Sequence, residues 1–334
     1  MSQPFLVSHL LVAAVSLALA ACGVQAGNEA NQTTVAAAAT ATQTTIQEVR
    51  IGHQASGSLV FLKDQKTLDE ALAKENIKVN WVKFTSGPPM LEALNTGNLD
   101  FATTGEAPPI FAQAANAGLV YVAHEAASPD SEGLLLPKGS NITDVSQLKG
   151  KKIAVAKGSS AHYTLLQGLK KHGLKFSDIT PVYLQPSDGR AAFEQGSVDA
   201  WVVWEPYRAA AEKQLGATTL FNTSGLKPSY SFYLARKEFA EQHPALVKTI
   251  VKHIDQADQT INADLKAFGN ITAKQVGVPE DIAYEAVIRR KYGAAFITPE
   301  IAIEQQKVAD AFYAEKLIPK AIQVNEIMWQ APQN

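Results

Sequence analysis

A single cysteine, Cys22, is all that this chain of 334 residues offers for thiol or disulfide chemistry. No disulfide can close within it, and a cysteine nucleophile would have to be that one residue. Lysine and arginine are missing before Arg50, so the basic stretch that usually opens an export signal is absent. No apolar run reaches the roughly 18 residues that a spanning helix needs. Charge of one sign is also lacking: 30 basic residues face 32 acidic ones, leaving a formal net charge of -2. That balance provides no field for nucleic acid. The histidines His9, His53, His124, His162, His172, His243 and His253 show no paired metal-ligand spacing, and no Gly-x-Ser-x-Gly elbow occurs. No metal, cofactor or catalytic grouping is therefore expected. What is present is ordinary for a globular protein, 46% hydrophobic and 19% charged, and long enough for two compact domains.

The beginning of the chain reads as a targeting segment. Leu10 to Ala21 is an apolar run of signal-peptide length, and it ends in Leu19-Ala20-Ala21-Cys22-Gly23. Small residues before a cysteine at that place resemble a bacterial lipobox, which makes residues 1–21 the signal peptide and Cys22 the lipidated residue. Gly23 to Thr45 has no aromatic residue and no apolar face, so residues 22–46 are expected to form a flexible tether.

From Ile46 the chain alternates strands and helices, which is the α/β pattern. Strands are expected at Glu48–Gly52, Val79–Phe84, Leu99–Thr103 and Leu119–Ala123, with helices between them that open on Ser/Gly or Pro-Pro loops. The pattern then recurs. Ala93-Leu-Asn-Thr-Gly-Asn-Leu-Asp100 matches Ala192-Phe-Glu-Gln-Gly-Ser-Val-Asp199 in residue type, 99 residues on. The same offset pairs Glu106 with Glu205, each beside a proline that opens a helix. Two similar α/β lobes follow, lobe one from 47–127 and 225–334 and lobe two from 128–224. The helices Pro244 to Ile261, Pro279 to Tyr292 and Pro299 to Leu317 carry apolar residues at helical spacing and are read as packing.

Two such lobes make a cleft at the carboxyl ends of their strands, the natural ligand site of open α/β sheets. The loops there carry Ser56, Gly57, Ser58, Thr85, Ser86, Gly87, Thr104, Gly105, Ser159 and Ser160 at helix starts. Free backbone N–H groups and the positive end of a helix dipole attract an anion. The aromatic residues supply a second half. Trp201 and Trp204 must face opposite sides of a regular strand, and Trp204, at its carboxyl end, is expected in the cleft. His162, Tyr163 and Tyr233 join it as candidates for a wall against the organic body of a ligand. Glu106 and Glu205 either stabilise helix starts or meet a polar group of the ligand. Arg190 pairs with an acid across the lobes or faces the anion as a fork of donors.

From about Val49 to Trp329 the chain resembles the aliphatic sulfonate-binding family of periplasmic solute-binding proteins, kin of the taurine and nitrate binders. The likeness rests on four stretches: Phe84-Thr-Ser-Gly-Pro-Pro-Met-Leu-Glu-Ala-Leu-Asn, Thr104-Gly-Glu-Ala-Pro-Pro-Ile-Phe-Ala-Gln-Ala-Ala, Lys157-Gly-Ser-Ser-Ala-His-Tyr and Gly196-Ser-Val-Asp-Ala-Trp-Val-Val-Trp-Glu-Pro-Tyr. Positions 106 and 205 carry Glu where the family commonly has Asp, and Gly189 stands for a usual Ala. The resemblance implies a type II periplasmic-binding fold that closes on its ligand. It also implies a monomer outside the cytoplasm, with a permease and an ATPase as partners in sulfur acquisition. The fold is shared by a sulfinate desulfinase, whose chemistry needs a cleft cysteine that this chain lacks.

Overall fold

A computed structural model describes residues 46–332; the expected lipobox at Cys22 lies outside them, as does nearly all of the tether. Strand β1 (Glu48–His53) leads into α1 (Ser58–Gln65) and α2 (Thr67–Ala73), then β2 (Lys78–Lys83), α3 (Gly87–Asn95), β3 (Phe101–Gly105), α4 (Ala107–Ala114) and β4 (Leu119–His124). The chain crosses to β5 (Glu132–Leu136), β6 (Lys152–Val155), α5 (Ser160–Lys171), β7 (Thr180–Tyr183), α6 (Pro186–Glu194), β8 (Ala200–Trp204), α7 (Tyr207–Leu215) and β9 (Thr218–Asn222). It returns through β10 (Ser231–Arg236), α8 (Lys237–Gln242), α9 (Pro244–Ala263), α10 (Leu265–Val276), α11 (Glu280–Ile288), β11 (Ala295–Phe296) and α12 (Pro299–Ala314). Periodicity alone does not pick out α10, because Gly269 and Asn270 interrupt it.

The strands form two sheets, ordered β11-β4-β10-β3-β1-β2 and β7-β6-β8-β5-β9. Taken from its β2 edge, the first reads β2-β1-β3-β10-β4 and matches the second place for place. In each, three parallel strands are followed by one that runs antiparallel. The fold is thus mixed α/β with two similar sheets. A shared contact explains why the Gly-x-Φ-Asp motif recurs. The Asp100 carboxylate accepts from the Arg50 backbone N–H at 2.9 Å, and Asp199 accepts from the Lys152 N–H at 2.8 Å. Each carboxylate satisfies a donor that the edge of the parallel ladder leaves over. Gly97 and Gly196, with φ of 73° and 66°, make the left-handed turn that brings the chain there.

Apolar residues pack on both faces of both sheets. In α9, Leu246, Ile250, Ile254, Ala257 and Ile261 all face the core, as their spacing requires. Each large apolar side chain removed from water stabilises by about 1.5–3 kcal/mol. The lobes also pack on each other. Ile282 and Ala286 of α11 meet Ala209 and Ala210 of α7, while Phe312 of α12 lies against His162 and Tyr163 of α5.

Two buried histidines are held neutral by this packing. His53 donates from Nδ1 to the Gln54 carbonyl at 2.7 Å, and its Nε2 faces the Lys63 ammonium at 3.4 Å. Nδ1 of His162 accepts from the Gly158 N–H at 3.3 Å, with the rings of Phe176, Tyr183 and Phe312 around it. Burial first, and a nearby lysine second for His162, lower each from 6.5 to about 4. The unfolded chain takes up these protons as pH falls below about 6.5, whereas the folded chain resists until about 4. Their contribution is therefore full above pH 6.5 and is lost as the pH falls toward 4. Buried acids such as Asp258 change stability in the opposite sense over this range, so the rings are read by difference. Between pH 7.5 and pH 5, urea unfolding should show wild type losing about 2–4 kcal/mol relative to a His53→Gln/His162→Gln variant. An equal pH response in the two proteins would show that the rings titrate alike in the folded and unfolded chain.

Candidate functional site

The starts of α1, α3 and α4 from one lobe meet those of α5 and α7 from the other around a single cavity. It is lined by Ser56, Gly57 and Ser58, by Thr85 and Gly87, by Thr103, Thr104 and Gly105, and across the gap by Ser159 and Ser160. Prolines in the first turns of α3 and α4 fit there because their missing N–H has no helical partner. Gly57 and Ser86 make no side-chain capping bond, so the first N–H groups of α1 and α3 receive none from their caps. Ser159 instead caps α5, accepting from the His162 N–H at 3.3 Å. At Gly105 lobe one comes close to lobe two: a Cβ there would stand 2.7 Å from that of Ser160.

Arg290 is the one basic residue among those lining the cavity. Its Nη2 donates to Ser231 Oγ at 3.2 Å, while its Nε is buried without a hydrogen-bond partner. A buried guanidinium N–H left unpaired carries a desolvation penalty of about 1–3 kcal/mol or more, which an anion in the cavity would relieve. Sequence reasoning missed this residue. Two arginines at the end of an apolar-periodic helix read as ordinary partners of the helix dipole, and nothing local tells which one turns inward.

Three carboxylates also line the cavity, and each has its own partners. Glu125 accepts from Ser58 Oγ at 2.8 Å, from the Gly293 N–H at 3.0 Å and from the Tyr233 hydroxyl. Behind it, burial and then the charge of Glu125 push Asp258 up to about 8, so that this acid keeps its proton at neutral pH. Glu132 accepts from Thr164 and pairs with Lys227 at 3.3 Å. Glu205 accepts from the Ala209 N–H at 3.0 Å and from Arg289 at 2.8 Å. Negative charge beside an anion site is thus compensated residue by residue.

The far wall is aromatic. Trp204, Tyr207, Tyr230 and Tyr233 line it, with Trp204 and Tyr207 edge to face at 6.0 Å. Trp201 points the other way into the core of lobe two, as its odd spacing from Trp204 demands.

Five of the residues expected in the cleft stand elsewhere. Arg190 pairs with Glu194 one turn along its own helix and with Gln214, both at 2.9 Å, so it neither crosses the lobes nor faces the cavity. His162 and Tyr163 lie on the side of α5 that packs against Phe312. Ser86 is buried, its Oγ without a partner, and only its neighbours Thr85 and Gly87 reach the cavity. Glu106 turns away from the cavity to an ion pair with Lys227. Ser56, Gly57, Gly87, Thr104, Gly105, Ser159, Ser160, Trp204, Glu205 and Tyr233 are brought together.

Known proteins share this construction. Residues 72–264 match the NMT1/THI5-like family. The alkanesulfonate-binding protein SsuA from Xanthomonas axonopodis pv. citri, solved bound to MOPS, superimposes with a TM-score of 0.81 at 37% identity, covering 86% of this chain and 100% of that one. The periplasmic aliphatic sulphonate binding protein SsuA from Escherichia coli gives 0.78 at 40% identity, covering 86% and 94%. A taurine-binding periplasmic protein of Escherichia coli K12 is 34% identical over 221 residues, 64% of this chain and 68% of its own length. With the family match, these identities and the periplasmic-binding-protein fold in common, the chain belongs to the NMT1/THI5-like family and, within it, to the aliphatic sulfonate-binding proteins.

Proposed function

We propose that this chain captures an alkanesulfonate in the interlobe cavity and delivers it to an ABC permease and its ATPase, outside the cytoplasm. The observation that carries this reading is Arg290, the one basic residue that lines a cavity otherwise ringed by helix starts and hydroxyls, with a guanidinium that is only partly satisfied. A sulfonate offers three acceptor oxygens and one charge that does not titrate near neutral pH. Trp204, Tyr207 and Tyr230 suit the organic body attached to it. MOPS, bound by the Xanthomonas relative, is itself a sulfonate with a bulky body. Taurine fits less well, because Glu125, Glu132 and Glu205 already have partners and leave no bare carboxylate for its ammonium.

Calorimetric titration should place short alkanesulfonates above taurine, nitrate and sulfate. Affinity should rise with chain length by up to about 0.8 kcal/mol per buried methylene until the cavity is full. Trp204→Ala should flatten that slope, and Arg290→Gln should weaken every sulfonate by about 1.5–3 kcal/mol. A preference for nitrate, or no dependence on the organic body, would remove the alkanesulfonate reading. Gly105→Ala gives a separate check. Its methyl would press on Ser160 and hold the lobes apart, so affinity should fall about tenfold or more while each lobe keeps its fold. Unchanged binding would mean that the lobes need not meet there.

The same reading takes Cys22 as the point of attachment to a membrane. Cys22→Ala should leave ligand binding intact and move the chain from the membrane fraction to the soluble one.

A further inference from the structure

Consecutive arginines at the end of α11 face two different things. Arg290 lines the ligand cavity, while Arg289 reaches across to lobe two. The Arg289 guanidinium lies 2.8 Å from Glu205 and 2.7 Å from Glu212, and it is steadied on its own helix by Glu285 at 3.0 Å. Glu205 is fully buried and Arg289 partly buried, with side-chain exposures of 0% and 14%. This is therefore not a surface pair of the kind that contributes nothing measurable. Beside it, Ile282 and Ala286 of α11 meet Ala209 and Ala210 of α7 in a small apolar seam.

We propose that Arg289 is the closure latch of the cleft, and that α11 couples anion capture by Arg290 to neutralisation of Glu205 by Arg289 in one movement. The inference rests on the alkanesulfonate reading for the identity of the anion, but not for the latch itself. Glu205 lines the cavity, so with the lobes apart its carboxylate would confront an incoming anion. Its salt-bridge partner, Arg289, comes from the opposite lobe, so the pair exists only where α11 meets lobe two. The cavity thus becomes favourable to an anion in the same step that shuts it. Loss of Arg289 would leave a buried, unpaired carboxylate at the ligand, which disfavours the closed state. The apolar seam is small and built mostly of alanine, which permits the helices to part again. An anion held by Arg290 biases the equilibrium by drawing the end of α11 toward the cavity.

The test compares wild type with Arg289→Gln and Arg289→Lys. Ethanesulfonate should bind Arg289→Gln about 10–100-fold more weakly, almost wholly through faster dissociation, with the association rate within about threefold. Arg289→Lys, which keeps the charge and loses the fork, should recover a large part of the loss. The ligand-free melting temperature should stay close to that of wild type. A second readout needs no ligand: dye pairs at Asp281→Cys and Lys213→Cys, in a Cys22→Ala background, report the distance between α11 and α7. Arg289→Gln should shift that distance toward the open form. If wild type binds no sulfonate, the functional reading fails, and the dye distance alone decides the latch. An unchanged distance in Arg289→Gln overturns the proposal. So does equal weakening in the Gln and Lys variants accompanied by a lower ligand-free melting temperature, which would mark Arg289 as structural only.

Discussion

One buried ammonium lies between carboxylates from opposite lobes, and the arrangement of the two halves depends on it. Lys227 pairs with Glu106, at the end of β3, and with Glu132, at the start of β5. Burial works against its charge, yet the two carboxylates outweigh that effect and hold Lys227 protonated above its ordinary range. Taking an ion this far from water costs several kcal/mol unless its partners are in place. Both lobes must therefore remain on Lys227 whatever the cleft does. Ser229, next along, accepts from Lys227 at 2.7 Å and receives the Ser128 N–H at its carbonyl at 2.9 Å. The two crossing strands are thus joined at the same place. The end of α11 is tied to the same crossing, where Ser128 Oγ accepts from the Lys291 N–H at 2.9 Å, and from there the α7–α11 seam and the Arg289 pairs add contacts between the lobes.

Chemistry and mechanics thus meet at one place in the gap, on consecutive residues of α11. At the cavity most donors are neutral, backbone N–H groups at helix starts and serine and threonine hydroxyls, and a single guanidinium stands beside them. The neutral donors spread the hold over many contacts, while Arg290 supplies the one positive charge. The buried acids serve the frame. Glu125 anchors Tyr233 and the Gly293 N–H, Glu132 belongs to the Lys227 cluster, and Glu205 joins a helix start to the other lobe. Asp258, kept protonated by burial and by Glu125, removes one negative charge from behind the cavity wall.

Residues that act through local rules could be read in advance. Gly97 and Gly196 announce a turn, and Asp100 and Asp199 recur because the same strand edge needs the same acceptor. Prolines mark helix starts, and the odd spacing of Trp201 and Trp204 divides core from cavity. Arg190 was misplaced for a reason of the same kind. Its partners Glu194 and Gln214 are on its own helix and the next, and a helix surface satisfies a guanidinium more readily than a distant cleft. Glu106 and Lys227 stand 121 residues apart in the chain, and no pattern links them.

Sequence by itself determined the α/β class, the internal repeat, the loops that face the cleft and the family, because each follows from spacing along the chain or from motifs within a few residues. Tertiary structure alone decided which side chains turn into the cavity. Arg290 lines the cavity and Arg289 faces the other lobe only because α11 docks on α7 at one particular rotation. His162 and Tyr163 became packing because α12 covers α5. These are contacts between segments far apart in sequence, and their energies depend on distance and burial, which exist only once the chain has folded.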